Sequence, residues 1–273
     1  MGLVAIEPQM TLTEIQVERY ARHILLPEVG GAGQAKIQRA KVLVVGAGGL
    51  GSPIIQYLAA AGVGTIGIVD DDVVDLSNLQ RQVIHTTARI GMLKVTSAKM
   101  AVAEINPEVI IREHPQRLVQ DNARDLIAQY DIISDGCDNF ETRFLITDSC
   151  YLEKKTLVSG AILRFDGQLS VFKPHERKDN DCPCYRCLYP EAPPPGSTPM
   201  CSEAGVLGAL CGAIGSHQAT EILKEITGAG ESLAGSLIIF DGLRTEFRKI
   251  KIRPDPNCKL CSKQANIKDL SAH

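Results

Sequence analysis

The chain has no tryptophan, and aromatic residues fill only 4% of its 273 positions. It also lacks an excess of either charge. Lys and Arg total 29 against 32 Asp and Glu, a formal net charge of −3. That balance excludes the broad basic surface of a general nucleic-acid binder. No long uncharged apolar run occurs. The most apolar stretch, residues 205–226, carries His217, Gln218, Glu221, Lys224 and Glu225. It reads as a buried helix with a polar end, and no membrane span is expected. The opening residues MGLVAIEPQM have neither the cationic nor the long apolar segment of a secretory leader. A cytoplasmic, reducing location is expected. Internal repeats and low-complexity tracts are absent too.

The remainder is ordinary for a globular protein, with 44% apolar and 22% charged residues. A chain of this length can bury about three quarters of its unfolded surface, so a core needs no disulfides. The nine cysteines therefore need another explanation. Cys184 pairs in sequence with Cys187, and Cys258 with Cys261. Cys137, Cys150, Cys182, Cys201 and Cys211 stand alone. Two Cys-x-x-Cys pairs can bite one metal, and four thiolates suit Zn²⁺. Spacing alone leaves redox pairs open, because 70 residues separate the two motifs. Arg186, Lys259 and Lys263 could offset the double negative charge of such a site.

The order of elements alternates. Thr11 to Glu14 reads as a capping box opening a helix that ends before Pro27. Apolar runs at 41–45 and 65–69 read as buried strands around a helix at 50–62. Helix signals recur near 92–105 and 119–129, and strand signals at 109–112, 131–134 and 156–159. Such alternation predicts an α/β fold: a Rossmann-like, mostly parallel sheet with helices on both faces. Beyond Gly160 the pattern changes. Residues 168–172 alternate, 174–200 form a Pro- and Cys-rich loop, and 205–227 form a helix. Residues 236–240 and 245–252 suggest an antiparallel pair turning at Asp241-Gly242. We expect an N-terminal helical segment, 1–40, before one domain, 41–273. A metal-bound loop at 182–204 and a tail at 253–273 would tie its end.

Gly46-Ala-Gly48-Gly49-Leu-Gly51 follows a strand and opens a helix, with Asp70 closing the next strand. Glycines let backbone approach phosphate, the helix N-terminus favours anions, and the acid can accept ribose hydroxyls. Taken alone, this motif points to a dinucleotide. The following block, Asp70-Asp-Asp72-Val-Val-Asp75-Leu-Ser77-Asn78-Leu-Gln80-Arg81-Gln82, is unlike a dehydrogenase.

That block resembles the MoeB/ThiF family of ubiquitin-activating-like adenylyltransferases. The likeness extends to Arg19-Tyr-Ala-Arg22-His, Gly91-Met-Leu-Lys94-Val, Asp135-Gly-Cys-Asp138-Asn139 and Val158-Ser-Gly-Ala161. It continues through Cys184-Tyr-Arg-Cys187, Cys201-Ser-Glu-Ala-Gly-Val-Leu-Gly208 and Cys258-Lys-Leu-Cys261. The resemblance implies that ATP and the Gly-Gly carboxylate of a small ubiquitin-fold sulfur carrier form an acyl-adenylate and pyrophosphate. The carrier would be of the kind serving molybdopterin or thiamine synthesis. Such a carboxylate is already ionised at neutral pH. The protein must instead neutralise the repulsion between two anions.

The family pattern gives Arg81 and Lys94 to the phosphates and Asp138 to Mg²⁺. Gly46, Gly48, Gly49, Gly51 and Asp70 would receive the nucleotide. Ser77, Asn78, Leu79 and Gln80 would line its ribose and phosphate region, with Asn139 beside Asp138. Arg22 would reach into the neighbouring subunit's site, making the active form a homodimer. Cys184, Cys187, Cys258 and Cys261 would hold Zn²⁺, with Cys184 preferred to Cys182, and Cys201 is a candidate thiol for sulfur handover. No rhodanese-like segment follows Cys261, so a separate sulfur donor is expected. Read singly, Arg81 and Lys94 are equally solvated charges, and Asp138 is equally a cap for a helix near 140. Asp71, Asp72 and Asp75 read as solvated loop acids. An NAD-dependent oxidoreductase and a non-catalytic carrier-binding scaffold are the alternative functions.

Overall fold

The computed structural model describes residues 12–176, 182–194, 204–271 and 273. Thr11 and Cys201 fall outside them. Eight strands form one sheet: β1 (Lys41–Val45), β2 (Thr65–Val69), β3 (Ile110–His114), β4 (Ile132–Asp135), β5 (Thr156–Leu163), β6 (Asp166–Phe172), β7 (Ser236–Asp241) and β8 (Glu246–Lys251). Their order is β3-β2-β1-β4-β5-β6-β7-β8. The first five in that order pair parallel, and β6, β7 and β8 add antiparallel.

Strand β1 explains the layering. Val42 and Val44 enter one apolar core, and Leu43 and Val45 enter another on the opposite face. A period of two with every position apolar needs cover on both sides. On the first face lie α3 (Gly30–Arg39), α4 (Gly51–Ala61), α5 (Lys94–Ile105) and α9 (Gly208–Thr227). On the second lie α6 (Gln120–Ala128) and α7 (Phe140–Leu152). Ile54, Leu58, Ile66 and Ile133 are fully buried. Each such side chain contributes about 1.5–3 kcal/mol. Short helices α1 (Glu14–Arg19), α2 (Ala21–Ile24) and α8 (Tyr185–Leu188) complete the described chain. The long apolar segment of the sequence is α9, packed on α4 and β5. Among the described residues no helix is long and apolar enough to cross a membrane.

Three local expectations change. The first capping box is built by Thr13 and Gln16, whose backbone and side chains bond reciprocally at 3.0 and 3.2 Å. The segment before Pro27 holds two short helices, α1 and α2, where one was expected. Helix α3 lies inside the helical segment expected at 1–40 but has no signal of its own, because Gly30, Gly31 and Gly33 conceal its pattern.

Candidate active site

Strand β1 sends its chain towards β2 and β3, whereas β4 leads towards β5. The sheet therefore reverses between β1 and β4, and a crevice opens beyond their carboxyl ends. The turns after both strands meet there. Gly46 sits at φ +96°, and a Cβ on it would lie 2.9 Å from the Gly136 carbonyl oxygen. A Cβ on Gly51 would lie 1.9 Å from the Gly46 carbonyl oxygen. Only glycine lets this turn fold back onto the start of α4. Leu50 caps that helix without a side-chain bond, and the Ser52 N–H donates to the Gly48 carbonyl at 2.9 Å, while the positive end of the helix faces the crevice.

The crevice is the mouth of a cavity of about 750 Å³. Gly46, Gly48, Gly49, Asp70, Arg81, Lys94, Asp138 and Asn139 all line it. Gly51 lies beneath the turn. Ser77, Asn78, Leu79 and Gln80 are outside the lining, on the segment that carries Arg81. Arg22 is exposed on α2 and also outside this chain's own cavity.

Each charged group has a structural reason for its place. Asp70 Oδ2 accepts the Ala47 N–H at 2.8 Å, and Oδ1 accepts that of Asp72 at 2.9 Å. Burial pushes the Asp70 carboxyl up, against the pull of Lys94 and of those two donors. The carboxylates of Asp70, Asp71 and Asp72 gather within 4.8 Å. Lys94, only 7% exposed, answers them at 2.7 Å from Asp72 and 4.0 Å from Asp70. Arg81 donates to the Ser77 carbonyl at 3.1 Å. Asp75 accepts both the hydroxyl and the N–H of Ser77, which starts the short helical turn at 76–78 and holds its carboxyl low.

The helix-cap alternative for Asp138 fails. Asn139 caps α7, accepting the Thr142 N–H at 2.8 Å, and Asp138 is left exposed on the cavity wall. One hard carboxylate on the wall of this cavity fits Mg²⁺, which takes one or two carboxylates and fills its shell with phosphate and water. The four cysteines fit Zn²⁺. Cys184 Sγ lies 3.8 Å from Cys187 and 3.5 Å from Cys258, and Cys187 lies 3.4 Å from Cys261. A tetrahedron with Zn–S of about 2.3 Å separates its sulfurs by about 3.8 Å. Leu260, Tyr151 and Ile267 enclose them. The nearby cations do not serve the sulfurs as expected. Arg186 binds the buried Asp148 through two nitrogens, each at 2.7 Å, and Lys259 pairs with Glu191.

The far part of the cavity is different in kind. Ser159, Ala161, Gln168, Ser170, Leu237 and Ile239 line it from one face of β5, β6 and β7. Tyr185 and Tyr189, on and just after α8, form its opposite wall, and the Tyr189 hydroxyl donates to Gln168 at 2.8 Å. Ser159, Ala161 and Tyr185 lie inside motifs of the family resemblance, and nothing in the sequence pattern singles out Gln168, Ser170, Tyr189, Leu237 or Ile239. The sequence also leaves His85 unassigned. His85 is buried against the glycine turn, with Nε2 at 2.9 Å from the Ala47 carbonyl and Nδ1 at 2.9 Å from Ser97 Oγ. A carbonyl only accepts, so Nε2 carries the proton and Nδ1 accepts from Ser97. Burial lowers the His85 pKa.

A model of the ThiF family matches residues 20–260. The chain belongs to the ThiF family. Among its relatives, the Mycobacterium tuberculosis protein named "Probable adenylyltransferase/sulfurtransferase MoeZ" is 52% identical over 252 residues. That match covers 92% of this chain and 64% of MoeZ, so the ThiF-family chain spans less than two thirds of that relative. The sulfur carrier protein adenylyltransferase of Thermus thermophilus is 45% identical over 261 residues, covering 96% of each protein. Among solved structures, Escherichia coli MccB superposes with a TM-score of 0.78 at 19% identity, covering 91% of this chain and 75% of its own. That likeness establishes the shared α/β fold.

Proposed function

We propose that this ThiF-family chain is an adenylyltransferase that activates the C-terminal glycine carboxylate of a small ubiquitin-fold sulfur carrier, MoaD- or ThiS-like. One observation carries the reading: a single cavity joins an anion-binding turn with flanking cations to a channel of mostly neutral side chains. The first end suits a nucleotide and the second an extended peptide tail. The names of MoeZ and of the Thermus thermophilus relative, both adenylyltransferases, support the same chemistry.

In this reading the carrier's carboxylate oxygen attacks the α-phosphorus of ATP. The bond to the β-phosphate oxygen breaks, and pyrophosphate leaves with its electron pair. No general base is required. Arg81 offers a fork, and Lys94 a compact charge, to the phosphates. Lys94 must then exchange Asp72 for phosphate. The turn from Gly46 to Gly51 cradles the nucleotide, and Asp70 keeps that turn closed. Asp138 would hold Mg²⁺, which supplies charge neutralisation between the two anions. Arg22 would complete the site of a second copy in a homodimer. Cys184, Cys187, Cys258 and Cys261 would hold Zn²⁺ as a closed structural site, since four protein thiolates leave no open position. A separate donor would bring the sulfur that makes the thiocarboxylate, with Cys201 as a candidate thiol for its handover.

The test is exchange of labelled pyrophosphate into ATP, run with a Gly-Gly-ended carrier and with NAD as a competing ligand. Carrier-dependent exchange that NAD does not inhibit is expected. Tight NAD binding without exchange would favour an oxidoreductase.

A further inference from the structure

Against the cavity wall lies a polar cluster, two of whose members, Arg143 and Ser159, reach the lining. Asp135, at the end of β4, is fully buried. Its Oδ2 accepts Arg143 Nε at 2.9 Å and Ser159 Oγ at 2.8 Å. Its Oδ1 accepts the Cys137 N–H at 3.0 Å, and its backbone carbonyl accepts Gln218 Nε2 at 2.9 Å. The Arg143 side chain is 10% exposed. Its Nη2 donates to the Cys137 carbonyl at 3.0 Å and to the Gly160 carbonyl at 3.1 Å. One guanidinium thus spans the turn that carries Asp138 and the strand where the neutral channel begins. A buried ion pair is a poor way to gain stability, because desolvation offsets attraction. The rigid fork of arginine is a good way to fix two carbonyls at one separation.

We infer that Arg143, held by Asp135, is a positioning residue that sets the gap between the Asp138 turn and Gly160, and so the approach of the two reacting groups. The inference rests on the adenylation reading for its kinetic readout and on geometry alone for its structural one. Misplacement of reacting groups by about 1 Å costs about 100-fold in rate. Lysine at position 143 keeps the charge opposite Asp135 but cannot reach both carbonyls.

The experiment compares wild type with Arg143→Lys by pyrophosphate exchange, using a Gly-Gly-ended carrier, and by amide hydrogen exchange of peptides covering 135–140 and 158–162. The variant should lose about 100-fold in kcat while KM for ATP and for the carrier stay within about threefold. Both peptides should lose protection by about tenfold or more, with the rest of the sheet unchanged. A folded variant with unchanged protection in both peptides overturns the inference, whatever the kinetics. So does a variant whose kcat is intact, or whose loss appears in KM for ATP. Wild type that shows no exchange overturns the adenylation reading instead, and the protection measurement still decides the role of Arg143. If Arg143→Lys does not fold, Ser159→Ala takes its place. Removing that bond to Asp135 should give a smaller loss of the same pattern, about fivefold in kcat, and no change in either readout overturns the inference.

Discussion

Strand β1 is buried on both faces and held by apolar packing and by pairing with β2 and β4, whereas the segment bearing Cys184 and Cys187 meets the tail in a small cluster centred on four sulfurs. The parallel half has two cores rich in Ile, Val and Leu. The small core around the cysteines contains Cys184, Cys258, Leu260 and Cys261 as its buried members. Packing of the first kind is collective, so it survives the loss of a surface group. In the small core the four sulfurs lie within 4.8 Å of one another, a spacing that a tetrahedral metal would fit. Stability and chemistry are thus divided differently in the two regions. Near the glycine turn, the groups proposed for chemistry add little to packing. In the cysteine extension, the metal would itself be the packing.

The comparison can be broken at five places, taken from the largest expected effect towards the smallest. Asp138 is exposed and caps nothing. Asp138→Ala should therefore cut pyrophosphate exchange by about 100- to 1,000-fold with the thermal midpoint unchanged. A matching fall in midpoint would show that chemistry and packing are not separate there. The glycine turn is the opposite case. Gly51→Ala drives a methyl into the Gly46 carbonyl oxygen and should cost about 3 kcal/mol in denaturant unfolding. An unchanged midpoint would mean the turn is looser than its geometry.

Metal loss should sharpen the contrast. Cys258→Ser should release one zinc per chain, read by native mass spectrometry, and expose residues 182–194 and 253–271 to hydrogen exchange. The strands β1 to β5 should keep their protection. Global unfolding on zinc loss would contradict the division. Cys201→Ala should keep both zinc and exchange, since attack at a phosphate needs no thiol. The smallest change other than none concerns His85. Its folded pKa lies below the ordinary 6.5, with burial the leading cause. The unfolded chain then binds more protons than the folded one in the window below about 6.5, so stability falls as pH falls through it. His85→Gln should flatten that slope in a pH series of thermal midpoints, and an unchanged slope would remove His85 from the account.

Much of the fold was legible because its strands are short apolar runs bounded by glycine or by polar residues. β1 and β2 match the sequence reading residue for residue. Helix α3 was not legible, since its place depends on distant partners. Gln34 Nε2 donates to the Ala61 carbonyl at 2.9 Å, and Gly33 packs near Thr227. The site divides in the same way. The glycine turn was legible from its own spacing, whereas Arg81, Lys94 and Asp138 were legible only through the family resemblance, and they line one cavity with Gly46, Gly48 and Gly49. Arg143 is in none of the motifs of the sequence. Its role comes from Asp135, eight residues before it, and from Gly160, on another strand. Tyr185 is hidden for a similar reason. It lies between two proposed metal ligands, yet its ring packs edge-on against Phe144 and Phe172 at the back of the cavity. Periodicity reports which face a residue occupies and leaves open what the opposite face brings to it.

The central claim is that one cavity receives a nucleotide at its charged end and a carrier tail at its neutral end. It is tested most directly by carrier-dependent exchange of labelled pyrophosphate into ATP, measured with an intact carrier and with one lacking its last two glycines. The account predicts exchange with the intact carrier, none with the shortened one, and ATP binding unchanged between the two. Exchange at equal rates with both carriers, or none with any Gly-Gly-ended carrier despite tight ATP binding, would contradict it.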